Sequence, residues 1–189
     1  MSTPDALYAE PDAMILAVAV HVEQPTPLSC LAACAQMLLG WRQDSQGVAA
    51  AAELAAKGEL LTVSAVCGRL QPCRRDAPDP NDMLEVVLTA VRQGLPVLAL
   101  VARPPYLHAT GIAPSGVHSR WGQLASSAGP RFELPHHAVV VAGVDEVGRA
   151  LLLLDPWYPA SAQPVRLLWA AVASVLPGDI VIVDTIARA

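Results

Sequence analysis

The stretch from Cys30 to Trp41, Cys-Leu-Ala-Ala-Cys-Ala-Gln-Met-Leu-Leu-Gly-Trp, constrains this chain more than any other. It is rich in good helix formers and apolar nearly all the way round. A helix without a polar face has to be enclosed rather than laid on a surface. Ser29 stands where an N-cap is expected, and Gly40 lies near the stop. Just upstream, residues 23–29 read Glu-Gln-Pro-Thr-Pro-Leu-Ser. This is a stiff loop, because each proline fixes its own φ and restricts the residue before it. The fold is therefore built around a buried helix whose first turn is delivered by a rigid loop.

The rest of the chain sorts into helices first and strands later. Residues 1–13 are polar and proline-punctuated, a loose N-terminal arm, and 14–22 read as a strand. An alanine-rich helix is expected over 46–58. Residues 60–80 are ambiguous and end in the breaker run Asp76-Ala-Pro-Asp-Pro80. Asn81 is placed to cap a helix over 82–93 that stops at Gly94. Residues 96–102 are a short apolar strand. Residues 103–135, rich in proline, glycine and serine and without a period, are too long for an ordinary connection and read as a long loop or lid. The apolar runs 138–144 and 150–154 flank Asp145-Glu-Val-Gly148, where Gly148 suits the turn of a β-hairpin. A short helix or irregular turn carries Trp169 over 165–176, and 179–184 form a closing strand. Segregated helices and strands predict an α+β fold. With 189 residues, 53% of them hydrophobic, the chain suits one domain over 1–189 with a core of alanine and valine more than aromatics.

Charge and cysteine usage exclude several functions. The net charge is −5, and the nearest thing to a basic stripe is Arg74-Arg75, so no nucleic-acid partner is expected. The apolar run 14–20 is too short to cross a bilayer, and acidic residues rather than a basic region precede it. No membrane insertion is expected. The chain reads as a soluble product of the cytoplasm, with export by a signal-peptide-independent route left open. The four cysteines make no Cys-x-x-Cys pair and the histidines are not at zinc-ligand spacing, so neither metal nor organic cofactor is called for. A Cys67–Cys73 disulfide is conceivable, although small disulfide scaffolds are far denser in cysteine.

Three segments carry chemistry together. Gln24 lies six residues before Cys30, which opens the buried helix. His137 stands at the mouth of the apolar strand 138–144, and Asp155 ends the next strand, 18 residues on (155 − 137). A helix N-terminus and a neighbouring imidazolium both favour a thiolate, the reactive form of cysteine. A hairpin over 138–154 brings His137 and Asp155 to the same end, where the carboxylate accepts the second imidazole N–H and fixes the ring. Gln24 offers an amide donor which, with the Cys30 backbone N–H, suits a tetrahedral oxyanion. Cys34, one turn deeper, reads as core, and His108, His118 and His136 as surface or strand-edge residues.

These segments resemble the papain-like cysteine peptidase superfamily. Within it they are most similar to the peptidase domains of bacteriocin-processing transporters and to the papain-like avirulence proteases of plant pathogens. Those families place a glutamine six positions before the nucleophile, as Gln24 and Cys30 stand here. They follow the histidine with an apolar strand and a Gly-aromatic-Asp turn, echoed by Gly143-Val-Asp145. They end the next strand in Asn or Asp, often as Asp-Pro, and papain-like enzymes place a shielding tryptophan two positions later, where Trp157 stands. The likeness covers about residues 20–45 and 134–160. It implies a papain-like fold, with the nucleophile at a helix N-terminus packed on an antiparallel sheet that carries the histidine and aspartate. It further implies a cysteine peptidase acting on a protein or peptide substrate through Cys30, His137, Asp155 and Gln24, as a bacterial effector or a peptide-processing enzyme.

The chain departs from the pattern. The nucleophile-to-histidine spacing is 107 (137 − 30), short of the roughly 130–150 of papain and cathepsins, and nearer the compact bacterial branches. Leu31 replaces the usual aromatic, and prolines replace flexible glycines before Cys30, which bears on substrate subsites more than on the nucleophile. Two other functions remain open at this level. The same three residues serve a glutamine deamidase or an acyltransferase, and the fold also serves as a non-catalytic binding module.

Overall fold

The computed structural model of the chain describes residues 13–15, 21–26, 28–58, 61–110 and 136–184. One antiparallel sheet organises it. Its strands are β1 (Ala13–Ile15), β2 (Cys73–Asp76), β3 (Val97–Ala102), β4 (His136–Asp145), β5 (Ala150–Leu154), β6 (Val165–Leu168) and β7 (Ile180–Val183), in the order β2-β7-β3-β4-β5-β6, with β1 pairing the far end of β4. The helices are α1 (Cys30–Trp41), α2 (Ser45–Lys57), α3 (Val63–Arg69), α4 (Met83–Arg92), α5 (Arg103–Thr110) and α6 (Val172–Val175).

Both faces of the sheet are covered. One core joins α1, α2 and α3 to Ala138, Val140 and Ala142 of β4. The other joins α4, α5 and α6 to Val139, Val141 and Val144. From His137 to Asp145 every residue of β4 is buried, which explains its unbroken apolar run: a strand covered on both sides has no reason to alternate. Between Val141 and Gly143 the β4–β5 register shifts by one residue, a β-bulge.

The apolar helix is enclosed as its composition demands. Nine of the twelve residues of α1 are buried. At its end the Arg42 guanidinium donates to the carbonyls of Gln71 (2.8 Å), Pro72 and Asp184, tying α1 to the entry of β2 and the exit of β7. In α2, the Asp44 carboxylate accepts from the Gly47 N–H at 2.9 Å, and Gly58 closes the helix in the left-handed region at φ 66°.

Several local expectations are corrected. Ser29 occupies the N-cap position of α1, but its hydroxyl makes no cap bond. The side chain is wholly buried and instead donates to the Thr26 carbonyl at 2.9 Å. Asp82, not Asn81, precedes α4, and the Asn81 amide turns back to Asp79 at 2.9 Å. In the β4–β5 turn the left-handed residue is Arg149 at φ 47°. Gly148 serves another purpose: a Cβ there would displace the Asp145 carboxylate and the Arg166 guanidinium from each other. The ambiguous 60–80 stretch holds α3 and β2, and 165–176 holds β6, a 3-10 turn at Trp169–Ala171 and α6.

The first eight residues of the stretch read as a loop over 103–135 are a helix, α5. Pro104 and Pro105 fall in its first turn, where a missing N–H costs nothing. Residues 111–135 lie outside the described residues. Of the strand expected over 14–22, Ala13–Ile15 pairs with β4 and residues 21–22 are not in a strand, while 16–20 lie outside the described residues, as do residues 1–12 of the arm. Cys67 and Cys73 are free thiols. Cys73 contacts the Cys67 carbonyl at 3.5 Å, and burial, reinforced by the Cys67 thiol, pushes it up to about 11. Among the described residues no helix is long and apolar enough to cross a membrane.

Candidate active site

The end of β3, the start of β4 and the end of β5 meet the start of α1 at one end of the central strands. Val101 of β3 pairs with His137 of β4, and Val140 of β4 with Leu154 of β5, which sets Asp155 beside the histidine. His137 Nε2 lies 2.7 Å from Asp155 Oδ1, with the two side chains 4% and 0% exposed. With Nε2 engaged there, Nδ1 is the ring nitrogen left for the hydrogen bond that His137 makes with the Cys30 thiol. The structure thus gathers Cys30, His137 and Asp155 from one helix and two strands into a single buried row.

Their electrostatics follow from that contact. Burial by itself raises the Cys30 thiol, but the His137 hydrogen bond and charge outweigh it, and backbone hydrogen bonds from Ala138 and Leu31 add to them, so the thiol is lowered from its ordinary 9.0. Burial likewise opposes a charge on His137. The Asp155 charge and hydrogen bond prevail, Cys30 assists, and the imidazole is pushed up to about 10. Both shifts favour the proton on the ring and the negative charge on sulfur, a thiolate–imidazolium pair, the nucleophilic state of a cysteine. One turn deeper, Cys34 is wholly buried and pushed well up by burial, with the charges of Cys30 and Asp155 adding to it.

Asp155 is held at every polar atom. Oδ1 accepts from His137 and from the Trp157 N–H at 2.9 Å, and Oδ2 accepts from the Tyr106 hydroxyl at 2.7 Å. Its main-chain N–H donates to Gln163 Oε1 at 3.0 Å, and its carbonyl accepts from Gln163 Nε2 at 2.8 Å and from His21 Nε2 at 2.9 Å. The rings of Tyr106 and Trp157 flank the imidazole, with centroids 6.4 and 6.3 Å away and tilts of 40° and 35°. Together they exclude water from the His137–Asp155 contact, which strengthens it.

Gln24 is buried, and its main-chain N–H donates to the Pro156 carbonyl at 2.7 Å, which joins the loop before α1 to the turn after Asp155. Its Nε2 donates to the Thr26 carbonyl at 2.6 Å, and its Oε1 is buried with no hydrogen-bond partner among the described residues. One of the two amide hydrogens is therefore committed to the loop.

Sequence reasoning missed three residues that serve Asp155. Tyr106 sits on α5, whose double proline reads as a loop. Gln163 follows a segment without periodicity, and His21 falls within a run that reads as a strand. Only the fold brings them together. Exposed His136 and His108 stand apart from the row, and His118 lies outside the described residues. Among the described residues no group of three or more His, Cys, Asp or Glu side chains is clustered to hold a metal ion.

No protein-family model matches the sequence, and no curated protein matches it. Solved structures do match the fold. One of them, from Bacillus anthracis and described provisionally as a C39-like peptidase, superposes with a TM-score of 0.55 at 14% identity, over 91% of this chain and 98% of that one. The α+β architecture, with the Cys30-bearing helix packed on an antiparallel sheet, is therefore a papain-like fold.

Proposed function

We propose that the chain is a cysteine peptidase that cleaves peptide bonds through a thioester on Cys30. The observation that carries this is the buried row Cys30–His137–Asp155, in which the imidazole faces the thiol on one side and a fully buried carboxylate on the other. The Cys30 thiolate attacks the scissile carbonyl carbon and an S–C bond forms. The tetrahedral oxyanion meets the N–H groups at the start of α1, which lack intrahelical partners, and the remaining Gln24 amide hydrogen. The C–N bond then breaks as His137 passes its proton to the departing amine. Water attacks the thioester, His137 takes its proton, and the carboxylic acid leaves as the C–S bond breaks. Throughout, Asp155 fixes the ring and stabilises its charged form.

The likeness in fold to a C39-like peptidase supports the same reading. It is tested by the rate of Cys30 alkylation with iodoacetamide against pH, mapped by peptide mass, in the wild type and His137→Ala, together with the appearance of new chain termini in a denatured casein substrate with the wild type and Cys30→Ala. The expected result is alkylation of Cys30 well below pH 9 in the wild type alone, and cleavage that Cys30→Ala abolishes. A Cys30 indifferent to His137, or cleavage that survives its removal, overturns the proposal.

A further inference from the structure

The geometry points to Tyr106 as a positioning residue that sets the basicity of His137 by sharing the charge of Asp155. The inference rests on the reading of Cys30, His137 and Asp155 as a catalytic row and adds a fourth member to it. The Tyr106 hydroxyl lies 2.7 Å from Asp155 Oδ2, the oxygen opposite the one facing His137, and both side chains are buried. An ionised carboxylate only accepts, so the hydroxyl donates. Burial, with the Asp155 charge adding to it, pushes the phenol well above its ordinary value and keeps that proton in place. A short donor to a carboxylate in a water-excluded site carries far more weight than one at a surface.

Titratable groups face Asp155 from several elements. His137 faces it from β4 and is the cation that pairs with it. Tyr106 faces it from α5, with Tyr158 beside the phenol. His21 meets only its carbonyl. Cys34, with Cys30 beyond it, faces it from α1 and feels its charge. Oδ1 already has two donors, His137 and the Trp157 N–H, and these fix the plane of the carboxylate. The Tyr106 bond at Oδ2 is thus not needed to orient Asp155. What it does is draw off part of the negative charge that would otherwise bear on the imidazolium. Such tuning matters to a base that must both take up and release a proton in each cycle, since one that holds its proton too tightly cannot activate water.

The sign is definite. Removing the hydroxyl leaves Asp155 with its full charge, strengthens its pull on His137 and favours the thiolate–imidazolium pair. Tyr106→Phe should therefore move the acid limb of Cys30 alkylation by iodoacetamide down by about half a pH unit. Replacing Tyr106 with 3-fluorotyrosine, a stronger hydroxyl donor of nearly the same shape, should move the limb up. The fluorinated protein also keeps the test intact where Tyr106→Phe does not fold. A residue that served packing alone would leave the limb in place, or move it up in Tyr106→Phe as the pair loosened, and either result overturns the inference. His137→Ala separates this outcome from failure of the underlying reading. If that variant leaves the limb at the wild-type position, both fall; if it abolishes the limb while Tyr106→Phe and 3-fluorotyrosine do not move it, only the role of Tyr106 falls.

Discussion

Gln163 closes its side-chain amide on both main-chain groups of Asp155, accepting from the N–H at 3.0 Å and donating to the carbonyl at 2.8 Å. The pairing copies one rung of a β-ladder just where β5 has ended, and it prevents the chain from fraying at the residue that holds His137. Gln163→Ala strips a buried N–H of its partner and removes one of two donors to a buried carbonyl. We expect a loss of stability of roughly 1–3 kcal/mol, read from urea unfolding midpoints, together with weaker His137–Asp155 coupling. A midpoint equal to that of the wild type would show that the clamp adds nothing to stability.

Asp155→Asn isolates charge from shape. The amide keeps an acceptor for His137 and for the Trp157 N–H, and the Tyr106 hydroxyl can turn to accept. What vanishes is the negative charge that overcomes burial at His137. The imidazole, pushed up to about 10 in the wild type, should titrate far lower in the variant, as followed by nitrogen-15 NMR of labelled histidine. A midpoint that stays near 10 would make Asp155 irrelevant to the charge on the ring.

The two shifts also predict how stability depends on pH. His137 is raised in the fold, so its contribution is complete below its ordinary 6.5 and is lost as pH rises through about 10. Cys30 is lowered, so its contribution is complete above 9.0 and is lost as pH falls through the folded value. Where the windows overlap the two slopes cancel, because the fold merely moves one proton from sulfur to imidazole. Unfolding free energy should therefore show a plateau in the overlap below pH 9. Cys30→Ser removes one slope, and the plateau should become a continuous decline above about pH 6.5. Parallel profiles for the two proteins would exclude the ion pair.

Gln24 is tied by its main chain to the turn after Asp155 and by its side chain to the Thr26 carbonyl of its own loop. Gln24→Ala leaves its N–H on the Pro156 carbonyl and removes only the amide. We expect kcat to fall by roughly a hundredfold or more with KM little changed, the pattern of a donor used only in the transition state. A rise in KM at constant kcat would instead assign Gln24 to binding or to loop shape.

The sequence marks Cys30, His137 and Asp155 because each carries a local signal: a helix start, a strand start and a strand end. The apolar helix over 30–41 and the hairpin strands are legible for the same reason, since length and hydrophobic pattern are properties of neighbours. Edge strands of four residues, such as β2 with its two arginines, have too little pattern to announce themselves. The supports of Asp155 are illegible for a different reason. Tyr106, Gln163 and His21 lie 49, 8 and 134 residues away from it and meet it only through the tertiary fold. The Asn81/Asp82 and Gly148/Arg149 differences show the limit within elements, where one residue either way satisfies the pattern and side-chain bonds decide.

The bulge between Val141 and Gly143 works as a phase shifter. On the turn side of it Asp145 faces Ala150 and Val144 faces Leu151; on the site side Val141 faces Leu153 and Val140 faces Leu154. Extended by one residue, the second register sets Asp155 across from Val139, and the first would have set it across from Val140. Residues opposite one another share a face and faces alternate along a strand, so Val139 looks the same way as His137 and Val140 looks the other way. The register shift within β4 is what turns the aspartate toward the histidine. Were the first register carried on unshifted by the same residues, the two side chains would stand back to back.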